Sequence, residues 1–217
     1  MIDRVFHVLL LRHGVTDANQ SGIVQGHAPV PLNAQGVAQS KRLAERIARY
    51  EPRVQKLISS DLVRAMQTAE QIHLATGLPI EPDAGWRERG MGALEGRHAD
   101  IWSAVQARDD MQPEGAESAH AHRRRVREAF FRLPIQCAGI NCVAVVTHGG
   151  TTWNLLNMFN EHLLPLASGH PPLELSNAPN CGLTHLIGTQ PGNKWAWRVH
   201  RLNDGSHLMA ITNRDSG

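Results

Sequence analysis

The sequence predicts an α/β fold with a mostly parallel central sheet, and three observations carry that prediction. Val5 to Leu11 and Cys142 to Thr147 are apolar runs rather than alternating ones, as expected of strands covered on both faces. Strand-like and helix-like segments alternate along the chain, with no linker and no internal repeat. The 217 residues are 41% hydrophobic and 19% charged, enough apolar material to cover a sheet on both sides within one domain spanning residues 1–217. The expected architecture is therefore a three-layer α/β/α sandwich.

Taken in order, the first run stops at Arg12-His13-Gly14 and is followed by a Gly- and Pro-containing loop from Gly22 to Leu32. Asn33 is placed to cap a helix reaching about Tyr50, with Val37, Leu43 and Ile47 on its apolar stripe. Lys56 to Ser59 reads as a short strand and Ser60-Asp61 as an N-cap pair. The next helix carries Leu62, Ala65, Met66, Ala69 and Ile72 and ends near Gly77. Leu78 to Ile80 is expected as another short strand and Pro82 to Arg97 as a charged, glycine-rich loop. Helices are expected around Asp100 to Asp109, Glu117 to Leu133 and Thr151 to Glu161. Asn180 to Thr189 and Trp195 to Leu202 are expected as closing strands.

Several function classes find little support. A formal net charge of +2 gives no strong field for nucleic acid or an anionic membrane. The N-terminal apolar run is too short to span a bilayer and lacks a signal-peptide cleavage site. Cys137, Cys142 and Cys181 form no CxxC pair and read as reduced thiols, which points to a cytoplasmic protein. His120 and His122 are two apart on an expected helix, point to different faces and have no carboxylate cluster beside them, so a solvated face is expected. Arg123-Arg124-Arg125 with Arg127 reads the same way, having no aromatic platform for a nucleic acid. Trp195 and Trp197 are expected to pack, whereas Trp86 and Trp102 are open to a place in a substrate wall. No ligand spacing for a metal is found, and neither metal nor cofactor is expected.

Two buried strands that each end in histidine-glycine are the chemical signal. Ligands of open α/β sheets bind beyond the carboxyl ends of the strands, where Arg12-His13-Gly14 and His148-Gly149 fall. The glycines permit close backbone approach, and the helix after His148 would aim amide groups at an anion. Arg12, and Arg64 in the first turn of its helix, add guanidinium forks suited to a phosphoryl dianion. A neutral imidazole could attack phosphorus while the arginines hold the oxygens.

Leu11-Arg12-His13-Gly14 with Thr16 and Asn19 resembles the signature of the histidine phosphatase superfamily, the phosphoglycerate-mutase-like enzymes. The likeness continues through Gln25-Gly26, Pro31-Leu32 and Gly36, then Ser59-Ser60-Asp61-Leu62 with Arg64-Ala65 and Gln67-Thr68-Ala69. Further on it runs through Glu88, Gly92 and Glu95-Gly96, and Gly115-Ala116-Glu117-Ser118. Thr147-His148-Gly149-Gly150, Asn180-Cys181-Gly182 and Leu202-Asn203-Asp204 with His207-Leu208 complete it. Two positions depart from the pattern: Val15 stands where Glu is frequent, and Pro29 where Asp is common. Both bear on the substrate mouth rather than on the phosphate-binding residues.

The resemblance implies a phosphomonoester hydrolase in which His13 is transiently phosphorylated and Glu88 is the proton donor. Arg12, Arg64 and His148 would hold the transferring group. Gly149 and Asn180 would lie near the phosphate, with Asn19, Gln25 and Gly26 at the pocket edge. The implied partner is a small phosphorylated substrate, with neither nucleic acid nor membrane, and the chain could be a monomer or a homodimer. Two alternatives stay open: a cofactor-dependent phosphoglycerate mutase-type isomerase, and a non-catalytic phospholigand-binding protein on the same fold. The intervening segment is compact, and Glu88-Arg89-Gly90-Met91-Gly92 departs from the mutase pattern, which favours the hydrolase. His13 and Glu88 are both present, which counts against a scaffold.

Overall fold

The first strand, β1 (Arg4–Arg12), shows why the sheet needs cover on both sides. Phe6, Val8 and Leu10 enter one apolar cluster, whereas Leu9 and Leu11 enter the other, so alternate side chains serve opposite layers. The computed structural model describes residues 4–100, 113–161, 173–176, 178–192 and 194–211. The remaining strands are β2 (Lys56–Ser59), β3 (Ile80–Pro82), β4 (Cys142–Thr147), β5 (Leu183–Gln190) and β6 (Ala196–Asp204). They form one sheet in the order β3-β2-β4-β1-β5-β6. The first four strands in that order run parallel, and β5 and β6 are antiparallel additions at one edge.

The helices are α1 (Asp17–Gln20), α2 (Ala34–Ala48), α3 (Val63–Thr76), α4 (Ala119–Gln136) and α5 (Gly149–Asn160). Leu43, Ala44 and Ile47 of α2 join Ala65, Ala69 and Ile72 of α3 over Leu9, Leu11, Leu57, Ala144 and Val146. Val126, Phe130 and Leu133 of α4 join Leu155, Leu156 and Phe159 of α5 over the opposite face. The mixed α/β sandwich expected from the sequence is thus present, with helices on both faces of a six-stranded sheet.

Local signals act largely as read. Asn33 Oδ1 accepts from the Gly36 N–H at 2.9 Å and starts α2, and Gly77 closes α3 at φ +73°. Gly36 is required for another reason: a Cβ there would lie 2.0 Å from the Val15 carbonyl oxygen, so α2 reaches the turn after His13 only as glycine. Two expectations are corrected. Ser60-Asp61 is not the cap of α3, whose N-cap is Leu62 with no side-chain bond. Ser60 Oγ turns to His148, and Asp61 pairs with Arg87 at 2.5 Å. The third short strand lies at Ile80–Pro82, two residues beyond the expected start. The helix expected around Asp100 to Asp109 lies almost wholly outside the described residues, as does Trp102.

Trp86 and Trp197 are both in the core, at 0% and 1% exposed. For Trp197 this is the expected packing role, but it removes Trp86 from any substrate wall. Trp86 closes the 3-10 turn Ala84–Trp86 immediately before Glu88, within the cluster that includes Val126 and Phe130. Trp86→Ala is expected to cost about 3–5 kcal/mol of unfolding free energy, measured in urea, because the large void cannot collapse.

Among the described residues no helix is long and apolar enough to cross a membrane. The three cysteines are free and buried. Burial pushes the Cys142 and Cys181 thiols up to about 12, so neither is a ready thiolate.

Candidate active site

Parallel pairing of β1 with β4 sets Arg12 opposite Thr147, so the two histidine-glycine turns leave the sheet side by side. The His13 N–H bonds the Thr147 carbonyl at 3.0 Å, and the His13 and His148 ring centroids are 5.1 Å apart. β2, the neighbour of β4, delivers Ser60, and α3 follows with Arg64 in its first turn.

Hydrogen bonding fixes the tautomer of His13. Its Nδ1 lies 2.7 Å from the Gly14 carbonyl, which can only accept, so the ring proton sits on Nδ1. Arg64 Nε donates to Nε2 at 3.3 Å, which leaves Nε2 as the nitrogen with a lone pair. Burial, with the Arg64 and Arg12 charges, holds His13 well below the ordinary imidazole range. The ring is therefore neutral at neutral pH. His148 is held down in the same way, first by burial and then by Arg64, His13 and Arg12. Its Nε2 is 2.8 Å from Ser60 Oγ, and its Nδ1 is buried without a partner.

Arg64 is 1% exposed and pinned, with Nη2 donating to the Gly26 carbonyl at 2.9 Å and Nη1 to that of Ala28 at 3.3 Å. Burial lowers it to about 10, so it remains a cation at neutral pH. Arg12 gives Nη1 to the Ala178 carbonyl and keeps Nε buried and unpaired.

Glu88 reaches the same place from the opposite side. Its Oε2 accepts the Gly150 N–H at the start of α5 at 2.9 Å, and Oε1 accepts from the Arg89 N–H at 2.9 Å. A Cβ on Gly150 would stand 2.7 Å from Oε1, so the second glycine after His148 makes room for the carboxylate. Of the flanking arginines, Arg87 is paired with Asp61, and Arg89 Nε donates to the Glu117 carbonyl. Glu88 is thus drawn to the start of α5 rather than to Arg87.

A cavity of about 320 Å³ brings together Arg12, His13, Asn19, Gln25, Gly26, Arg64, Glu88 and Gly149, with Val24, Met91 and Gly150. His148 is fully buried behind it. Asn180 does not line the cavity but donates to the His13 carbonyl and to Asn19 Oδ1, each at 3.1 Å. A larger hollow of about 730 Å³, lined by Arg42, Arg46, His200 and Arg201 among others, shares no residue with this site. Among the described residues no group of three or more His, Cys, Asp or Glu side chains is placed to hold a metal ion.

Sequence reasoning missed several residues of the site. Ser60 was read as a helix cap, since its hydroxyl suits either use. His27, whose Nε2 is 2.8 Å from the Glu88 carbonyl oxygen, carried no signal. Two readings of α4 are corrected as well. His122 is 1% exposed rather than on a solvated face. Arg125 pairs with Glu117 at 2.6 Å, and its guanidinium also collects the carbonyls of Ala84, Gly85, Arg87 and Glu88 at 3.0–3.2 Å.

The buried histidines also make stability depend on pH. His7, His13, His122, His148, His185 and His207 are all lowered with burial as the first cause, His207 to about 4 and His185 to about 3. In the unfolded chain each titrates near its ordinary value, so below it the unfolded state binds protons that the folded state refuses. Stability is then present above about pH 6.5 and lost as pH falls toward 4 and 3. The thermal midpoint is expected to drop by several degrees or more between pH 7 and pH 4, measured by circular dichroism.

Comparison with known proteins points to one family. The chain is 34% identical over 159 residues to phosphoglycerate mutase-like protein 4 of Arabidopsis thaliana, covering 68% of each chain. It is 28% identical over 210 residues to an uncharacterized phosphatase of Bacillus subtilis strain 168, covering 94% of this chain and 97% of that one. The structure of a mycobacterial glucosyl-3-phosphoglycerate phosphatase superposes with a TM-score of 0.76 at 28% identity, over 92% of this chain and 99% of the other. The family model of the histidine phosphatase superfamily, branch 1, matches residues 8–205, and the chain belongs to that family.

Proposed function

We propose that the protein is a phosphomonoester hydrolase that works through a phosphohistidine on His13. The observation that carries this is the arrangement across one cavity of an unprotonated His13 Nε2, the buried Arg64, the half-buried Arg12 and a carboxylate held at a helix N-terminus.

In the first step the Nε2 lone pair attacks phosphorus, and the bond from phosphorus to the ester oxygen breaks. The Glu88 carboxyl gives its proton to that oxygen, which leaves as an alcohol. Arg12 and Arg64 carry the charge on the equatorial oxygens, and His148 supplies its unpaired Nδ1. In the second step the Glu88 carboxylate takes a proton from water as the water oxygen attacks phosphorus. The phosphorus–nitrogen bond breaks, inorganic phosphate leaves, and Glu88 is again protonated. A positioned acid of this kind contributes about 100- to 10,000-fold. No step calls for a metal ion.

The test is turnover of p-nitrophenyl phosphate in EDTA, with rapid acid or base quench of enzyme given radiolabelled substrate. Turnover that survives EDTA, with label that is stable in base and labile in acid, is the expected result. Loss of activity in EDTA that returns with added metal would sink the metal-free mechanism.

The relative named phosphoglycerate mutase-like supports a second reading, in which the phosphohistidine returns its group to a hydroxyl of the substrate. Transfer of label to an added phosphoglycerate faster than to water would establish it.

A further inference from the structure

His122 is a buried polar residue that the two-step reaction does not use. It lies on α4, is 1% exposed, and has a partner at each ring nitrogen. Asn154 Nδ2 is 3.2 Å from Nδ1, and since an amide nitrogen donates, Nδ1 is the acceptor and the ring proton is on Nε2. That nitrogen faces Thr151 Oγ1 at 3.3 Å and Glu88 Oε1 at 4.0 Å. The Thr151 hydroxyl has two acceptors for its own proton, the Arg87 carbonyl at 2.9 Å and Glu88 Oε1, so toward His122 it accepts. Its oxygen is 3.4 Å from the same Glu88 Oε1.

The polar groups that face the ring come from three places. Glu88 and Arg89 belong to the acid loop, and Glu117 and Arg125 lie at and near the start of α4. From α5 come only neutral groups, Thr151 and Asn154. Burial keeps the imidazole below its ordinary range, so at neutral pH it presents an N–H dipole rather than a cation. Packing alone would be met by an aliphatic side chain. A ring with a defined tautomer, with its one N–H turned toward a carboxylate, is a device for orientation.

We propose that His122 is a positioning residue for Glu88. Its Nε2–H donates to the Thr151 hydroxyl, whose own proton can turn to Glu88 Oε1, and this relay holds the carboxyl in the orientation from which a proton reaches the leaving oxygen. The inference rests on the hydrolase reading and adds a residue to it. It makes the acid dependent on α4 and α5 together, since His122 comes from one and Thr151 from the other.

The leaving group separates this role from a structural one. Phenoxide needs a proton to depart far more than p-nitrophenoxide does, so a fault in proton delivery falls mainly on phenyl phosphate. The measurement is kcat/KM for both esters, which reports the steps up to phenol release, in wild type, His122→Leu and His122→Gln. His122→Leu is expected to lose about 10- to 100-fold on phenyl phosphate and only about 3-fold on p-nitrophenyl phosphate. His122→Gln, which keeps an acceptor and a donor, is expected to recover most of the loss. In a Glu88→Gln background, His122→Leu should have no further effect. Equal losses on both esters, or losses that multiply with Glu88→Gln, would overturn the proposal while leaving the hydrolase intact. A wild-type protein that cleaves neither ester would overturn both, since no proton transfer would remain to be positioned.

Discussion

Alanine in place of His13 is expected to reduce hydrolysis of p-nitrophenyl phosphate by about 10,000-fold or more, into the background of the assay. The size follows from the tautomer. With Nδ1–H tied to the Gly14 carbonyl, His13 Nε2 is a ready lone pair facing the two arginines of the cavity. His148 is no substitute, since its Nε2 is engaged by Ser60 and its Nδ1 is the nitrogen left to hold the phosphoryl group. Inorganic phosphate should still bind His13→Ala, within about 10-fold of its wild-type affinity, because both guanidinium groups remain. Calorimetric titration with phosphate checks that half of the expectation. Retention of full turnover would mean that another group attacks phosphorus.

Arg64→Met is expected to lower kcat/KM by about 100- to 1,000-fold while the chain stays folded. Methionine preserves much of the stem's volume, but it removes the donor to His13 Nε2 and a buried positive charge beside the transferring group. Here phosphate affinity should fall as well, which distinguishes this variant from His13→Ala. Losing Arg64 also leaves the Gly26 and Ala28 carbonyls without this donor, at a cost of about 1–3 kcal/mol. Arg64→Lys should restore little. A single ammonium cannot serve His13 and two carbonyls at once as the rigid fork does. Wild-type kinetics in Arg64→Met would remove this arginine from the mechanism.

The parts of the fold that could be read early were those written locally. β1 and β4 declare themselves because burial on both faces demands an apolar run, and their ends are marked by His13-Gly14 and His148-Gly149. The Asn33 cap and the Gly77 stop are equally local, each satisfied within four residues. Glu88 was harder, because its partner is the Gly150 N–H, 62 residues away, and no spacing rule links the two. His122 and Arg125 were misread for the same physical reason. On a helix with His120, Arg123 and Arg124 around them they look like part of a wet face, and only the docking of the acid loop and α5 buries one and engages the other. Ser60 shows a different limit. A hydroxyl after a strand can cap a helix or bond an imidazole, and the sequence holds no vote between the two.

Arg125 has a further consequence. Four carbonyls of the segment Ala84 to Glu88 converge on that one guanidinium. His13 is thus carried by the sheet, whereas the loop that bears Glu88 draws much of its support from a helix. Within a folding chain these two halves need not mature together. β1, β2, β4 and α3 can complete a cradle for phosphate while the acid still hangs loose, and the protein would then bind its ligand before it could cleave it. Competence for chemistry depends on the docking of α4 as well as on the sheet.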